Sequence, residues 1–143
     1  MEELFFGSAY KGTKKFTQAE VKTSNATGFG APADDYAERG IDLNEQLVRN
    51  KPATYFFRMT GDAMVDAGIM NGDILVVDRS IKAKSGKIVV ANLNGEMLVR
   101  RFEQTFNKIR LIPDTRRLAA IEVDPFSEFS IWGVVTFAIH ELK

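Results

Sequence analysis

No cysteine occurs among the 143 residues. Disulfides and thiolate chemistry are therefore excluded. Histidine occurs once, at His140. It sits on an alternating segment near the C-terminus and reads as a surface or interface residue rather than a catalytic base. One histidine and no cysteine make a poor ligand set for a transition metal, so neither a metal nor another cofactor is expected. No run of about 18 apolar residues is present, so no membrane-spanning helix is expected. The start, Met1-Glu2-Glu3-Leu4-Phe5-Phe6, is acidic and lacks the apolar core of a signal peptide, which fits a cytoplasmic location. Excess charge of either sign is also missing, with 19 basic and 19 acidic residues. That balance argues against direct, sequence-specific DNA binding, which relies on a basic field. The cluster Lys11, Lys14, Lys15 and Lys22 reads as a solvated tail.

What is present is an ordinary globular composition, 45% hydrophobic, and a chain of this length buries roughly two-thirds of its unfolded surface. Residues 1–32 differ from the rest. Gly7, Gly12, Gly28 and Gly30 alternate with serine, threonine and lysine, and neither a helical nor a strand period persists. Phe5, Phe6, Tyr10 and Phe16 are apolar enough to dock. The segment reads as an extended N-terminal arm, in part disordered, that lies on a body formed by residues 33–143.

In the body, residues 41–48 read as one short helix. Asp42 caps it, Glu45 completes a capping-box-like pair, and Leu43, Leu47 and Val48 point to the core. Lys51-Pro52 ends it. Beyond Pro52 the pattern is strand and turn, with strands expected over 54–59, 73–78, 87–93, 96–102, 108–113, 119–123 and 130–139. Asn94-Gly95 is a two-residue hairpin signal, while Asn71-Gly72, Ser85-Gly86 and Pro113-Asp114 mark further turns. Many short strands and little helix imply a mainly β, compact, barrel-like domain. Phe126, Phe129, Trp132 and Phe137 read as core or interface. Arg116-Arg117 reads as exposed charge, and alternation sends Arg100 and Arg101 to opposite faces of their strand, the second into solvent.

The stretch Thr60-Gly61-Asp62-Ala63-Met64 follows the expected strand 54–59 and precedes Gly72-Asp73-Ile74-Leu75. With Asp35-Tyr36, Ile41-Asp42-Leu43-Asn44, Asp66-x-Gly68-Ile69 and Leu111-Ile112-Pro113, in that order and spacing, it resembles the LexA/UmuD family of self-cleaving serine peptidases, and most closely the UmuD-like branch. The resemblance covers about residue 26 to the end. It implies a β-barrel of β-clip type and a serine–lysine dyad, in which a serine hydroxyl attacks a peptide carbonyl and a neutral lysine takes its proton.

This chain departs from that pattern in three places. The nucleophile position is Ala63, whose methyl group cannot attack a carbonyl. The general-base position, in Gly95-Glu96-Met97-Leu98-Val99-Arg100, is Arg100, and a guanidinium keeps its proton in proteins. The resemblance puts the scissile bond at Thr27–Gly28, where a β-branched threonine replaces the usual small residue. The backbone N–H groups of Asp62 and Ala63, matching the family's oxyanion hole, survive any side-chain change.

The resemblance implies a homodimer that serves as the SOS-response accessory subunit of an error-prone Y-family DNA polymerase, with RecA filaments as a further partner and no self-cleavage in this form. In that picture the final strand is a dimer edge. Two alternatives stand beside it: an active self-cleaving peptidase captured as a nucleophile-to-alanine variant, and the peptidase-like half of a phage-type repressor. Three concerted departures favour natural loss of the dyad over one engineered change.

Overall fold

The computed structural model describes residues 4–9, as backbone, and residues 40–143. Residues 4–9 fold with residues 50–143 as one compact unit, and residues 40–49 belong to another. The strands are β1 (Leu4–Ala9), β2 (Thr54–Met59), β3 (Ile74–Asp78), β4 (Ile88–Leu93), β5 (Glu96–Thr105), β6 (Lys108–Ile112), β7 (Ile121–Glu122) and β8 (Phe129–Ile139). They form a single eight-stranded sheet in the order β1-β2-β3-β8-β4-β5-β6-β7. Every neighbouring pair is antiparallel. The mainly β architecture with little helix is therefore as the sequence pattern implies.

Three elements differ from that pattern. The arm carries β1, which pairs with β2, although no strand period is legible there. An open sheet edge recruits backbone, and backbone pairing needs no side-chain alternation. Residues 119–123 contribute only the two residues of β7. The helix α1 spans Leu43–Leu47, and its cap is as expected, with Asp42 Oδ1 accepting from the Asn44 N–H at 3.0 Å. Leu43, however, is 47% exposed. A helix of little more than one turn is too short to present a continuous apolar face.

β8 organises the sheet by changing partners along its length. Its first half, from Phe129 to Val134, pairs with β4. Its second half, from Val134 to Ile139, pairs with β3. A bulge in each register accompanies the switch, leaving Trp132 and Thr136 as the extra residues, and bulges bend a strand and raise its twist. The Thr136 hydroxyl donates to the Val76 carbonyl at 3.2 Å, which ties down the second irregularity.

Both faces of the central strands are covered. Val90 and Val99 belong to a cluster with Phe57, Met59, Met64, Leu75 and Val77. Their strand neighbours Val89, Ala91, Leu98 and Phe102 belong to a second cluster with Leu111 and Val134. Two-sided burial explains why Ile88-Val89-Val90-Ala91 is an unbroken apolar run rather than an alternation.

Candidate functional site

The loop after β2 is built almost wholly from backbone. Met59 and the start of β3 exchange hydrogen bonds, Met59 N–H to Asp73 O at 2.8 Å and Gly72 N–H to Met59 O at 2.7 Å. The chain then turns at Gly61, whose φ of 99° lies in the left-handed region and whose N–H donates to Asn71 Oδ1 at 2.8 Å. A 3-10 turn, Val65–Ala67, closes the loop, with Ala67 and Ile69 both donating to the Met64 carbonyl. Met64 is fully buried in the first cluster and pins the loop from beneath.

Asp114 clamps the loop from the far side. Its N–H donates to Ala63 O at 2.8 Å, and its carbonyl accepts from the Asp66 N–H at 2.9 Å. Its carboxylate accepts from Arg101 Nη2 at 2.6 Å. Arg101 therefore lies opposite Arg100 as alternation requires, but it is an anchored ion pair rather than a solvated charge. The Pro113-Asp114 turn is legible in sequence; the clamp is not, because its partners lie some fifty residues upstream.

The structure brings Ala63 and Arg100 to the same cleft, of about 290 Å³. Both are recessed, Ala63 at 0% exposure and Arg100 at 7%. Arg100 Nη1 donates to the carbonyl of Val99 at 2.9 Å. Asp62 also lines the cleft, and its carboxylate accepts from Arg117 Nη1 at 3.1 Å. Arg117 is exposed charge as expected, its side chain 81% exposed, and it pairs with the carboxylate of the residue beside Ala63. The N–H groups of Asp62 and Ala63 donate to no acceptor among the described residues. Leu93, Leu98, Leu118 and Ile121 supply apolar walls, and Glu96 a second carboxylate. Sequence reasoning missed these walls because they come from β4, β5, β7 and the loop before β7. Thr27 and Gly28, with the lysine cluster of the arm, lie outside the described residues.

A second polar cluster joins distant segments. His140 Nδ1 lies 2.7 Å from Asp73 Oδ1, and Asp73 Oδ2 accepts from the Met70 N–H at 2.8 Å. The Asp73 side chain is 1% exposed, against 49% for His140. His140 is therefore a partly exposed residue with a structural partner 67 positions away. Among the described residues no group of three or more His, Asp or Glu side chains could hold a metal ion, and no helix is long and apolar enough to cross a membrane.

A mainly β domain with a recessed cleft beside a clamped Thr60–Met64 loop is the frame of a peptidase-like protein. Comparison with known proteins agrees. A family model described as Peptidase S24-like matches residues 20–136. Protein ImpA of Salmonella typhimurium is 38% identical over 120 residues, covering 81% of this chain and 79% of ImpA. Protein MucA of Escherichia coli is 40% identical over 117 residues, covering 81% of this chain and 80% of MucA. LexA repressor 1 of Xanthomonas axonopodis pv. citri is 38% identical over 109 residues, covering 76% of this chain and 54% of the repressor. The chain belongs to the Peptidase S24-like family, that of the LexA/UmuD proteins.

Proposed function

We propose that the chain is a UmuD-like accessory protein of SOS mutagenesis, catalytically silent, cytoplasmic and dimeric, whose partner is a Y-family DNA polymerase. The observation that carries the silent site is the joint position of Ala63 and Arg100 in one cleft. Cleavage would need a hydroxyl at position 63 and a proton acceptor at position 100, and neither side chain supplies one. The kinship with ImpA and MucA over about four-fifths of each chain supports the UmuD-like side of the family. The zero net charge supports a protein partner rather than DNA itself.

The site is tested by repair. The chain as it stands is expected to keep its full mass from neutral to strongly alkaline pH. Ala63→Ser alone is expected to stay intact, and Ala63→Ser with Arg100→Lys to cut slowly at Thr27–Gly28. Efficient cutting by the single serine variant, seen by mass spectrometry, would assign the base to another residue. The partner is tested by co-purification of the full chain with the Y-family polymerase of its own host. Absence of a complex at micromolar concentrations would remove the accessory role.

A further inference from the structure

Phe106 stands at the tip of the β5–β6 hairpin, and the turn itself does not call for it. Thr105 and Lys108 pair across the tip, which leaves Phe106 and Asn107 as a two-residue connection. Such connections favour glycine, asparagine and aspartate. Phe106 is 97% exposed. A lone exposed apolar side chain is ordinary, but the surroundings of this one are not.

The segment Lys82-Ala83-Lys84-Ser85-Gly86-Lys87 is fastened to the same hairpin. The Gly86 N–H donates to the Phe102 carbonyl and the Phe102 N–H to the Lys87 carbonyl, each at 2.8 Å. Ser85 Oγ accepts from the Gln104 N–H at 2.8 Å. Gln104 lies two residues before Phe106, roughly 7 Å along the strand. Ile81 and Ala83 pack against the second hydrophobic cluster, whereas the alternate residues Lys82 and Lys84 are exposed, as is Lys87. None of these three lysines forms an ion pair among the described residues. Two carboxylates of the adjoining strands are already paired, Glu103 with Arg110 at 3.0 Å and Glu122 with Lys108 at 3.4 Å. Three uncompensated cations therefore share one hairpin with an exposed ring.

We propose that this tip is a contact site for single-stranded DNA, bound without regard to sequence. Lys82, Lys84 and Lys87 take backbone phosphates as point charges, and Phe106 offers its ring to one base. No bond is made or broken. The zero net charge is a sum over the chain. It argues against a basic field across the whole surface, not against a local patch. Lysine is depleted at protein–protein interfaces, which favours a polyanion over a protein surface here. A ring at a tip also gives a base a face to stack on, whereas a protein partner would need a pocket to bury it. Phe126 is the internal contrast. It is 96% exposed but stands between Asp124 and Glu128, whose charge repels phosphate. The choice of DNA over RNA rests on the SOS role proposed above, because stacking and phosphate contacts do not use the 2′-hydroxyl.

The test measures fluorescence anisotropy of labelled oligo-dT titrated with the full chain. Three phosphate contacts predict a loss of about 15- to 20-fold in affinity between about 50 and 200 mM salt. Lys82→Gln with Lys84→Gln and Lys87→Gln is expected to abolish most of the binding and to flatten that salt dependence. Phe106→Ala is expected to weaken binding about five-fold or more with the salt dependence unchanged, which separates stacking from charge. Phe126→Ala is expected to bind within about two-fold of the parent. All the altered side chains are exposed, and an unchanged circular-dichroism spectrum checks the fold. No binding at micromolar concentration, or binding unaffected in the triple lysine variant, would overturn the proposal. Equal losses in Phe106→Ala and Phe126→Ala would overturn the place given to Phe106. Tighter binding of duplex DNA, which carries more charge but no free bases, would overturn the single strand, and tighter binding of oligo-rU would overturn the choice of DNA. Capture of phosphatidylserine vesicles without oligo-dT binding would reassign the patch to a membrane surface. A chain that co-purifies with its polymerase yet leaves oligo-dT free rejects the contact and keeps the accessory role. A chain that binds oligo-dT and no polymerase keeps the contact and rejects that role.

Discussion

Asp73 shows how one side chain can hold two distant parts of a fold. Its carboxylate takes the Met70 N–H with one oxygen and approaches His140 with the other. It is almost fully buried while His140 is half-exposed. The costs of truncation are therefore unequal. Asp73→Ala leaves the Met70 N–H without its acceptor and removes the contact with His140 from a buried position, so a loss of about 1–3 kcal/mol is expected. His140→Ala removes a partner whose other side is in water, so less than about 1 kcal/mol is expected. Urea unfolding of both variants checks the order, and a larger loss for His140→Ala would contradict it. Legibility at this scale was uneven. Ala63 and Arg100 were readable because they stand in an ordered set of motifs. Asp73–His140 and Asp62–Arg117 were not, because a sequence carries no sign of which charges meet across 67 or 55 positions.

Among the elements, β8 explains most of what pattern reading misses. Its apolar run over residues 130–139 marks a strand, and the structure has one, Phe129–Ile139. The run cannot reveal that the strand serves β4 with one half and β3 with the other. Next to the switch lies Gly133, where an added Cβ would stand 2.6 Å from Val77 Cγ1. That distance is well inside van der Waals contact and requires repacking. Gly133→Ala is therefore expected to destabilise by about 1–3 kcal/mol through overpacking, visible as a lower thermal midpoint. A neutral Gly133→Ala would show that Val77 rotates away without cost. By contrast, the Asn94-Gly95 hairpin was legible because its chemistry is local. Asn94 and Gly95 take φ values of 52° and 85°, the left-handed region that a two-residue turn demands at both positions. Strand β1 and the exposed Leu43 lay beyond such reading, since an edge pairing and a one-turn helix leave no periodic trace. Phe126, read as core or interface, is not core: it is 96% exposed, on a turn held by the Asp124 carboxylate and carbonyl.

At the scale of the whole molecule, the split pairing of β8 bears on assembly. Val135 to Ile139 carry β3 on one flank, whereas β4 pairs no further than Val134. Among the described residues, the final strand is thus not a free edge, as its position in sequence suggests, but has β4 beside its first half and β3 beside its second. Ile139, the last residue of the strand, and Leu142 beyond it are exposed large apolar side chains. An exposed apolar pair of this kind marks a candidate contact surface. A second copy packed about a two-fold axis would cover it with one self-complementary patch. The expected outcome is a dimer by light scattering at micromolar concentration. Ile139→Glu with Leu142→Glu places two charges on each side of that patch, and facing copies would set like charges against each other. The variant is expected to be a folded monomer, because both positions are already exposed in the single chain. A wild-type monomer, or a dimer that persists in the variant, would move the interface elsewhere on the sheet.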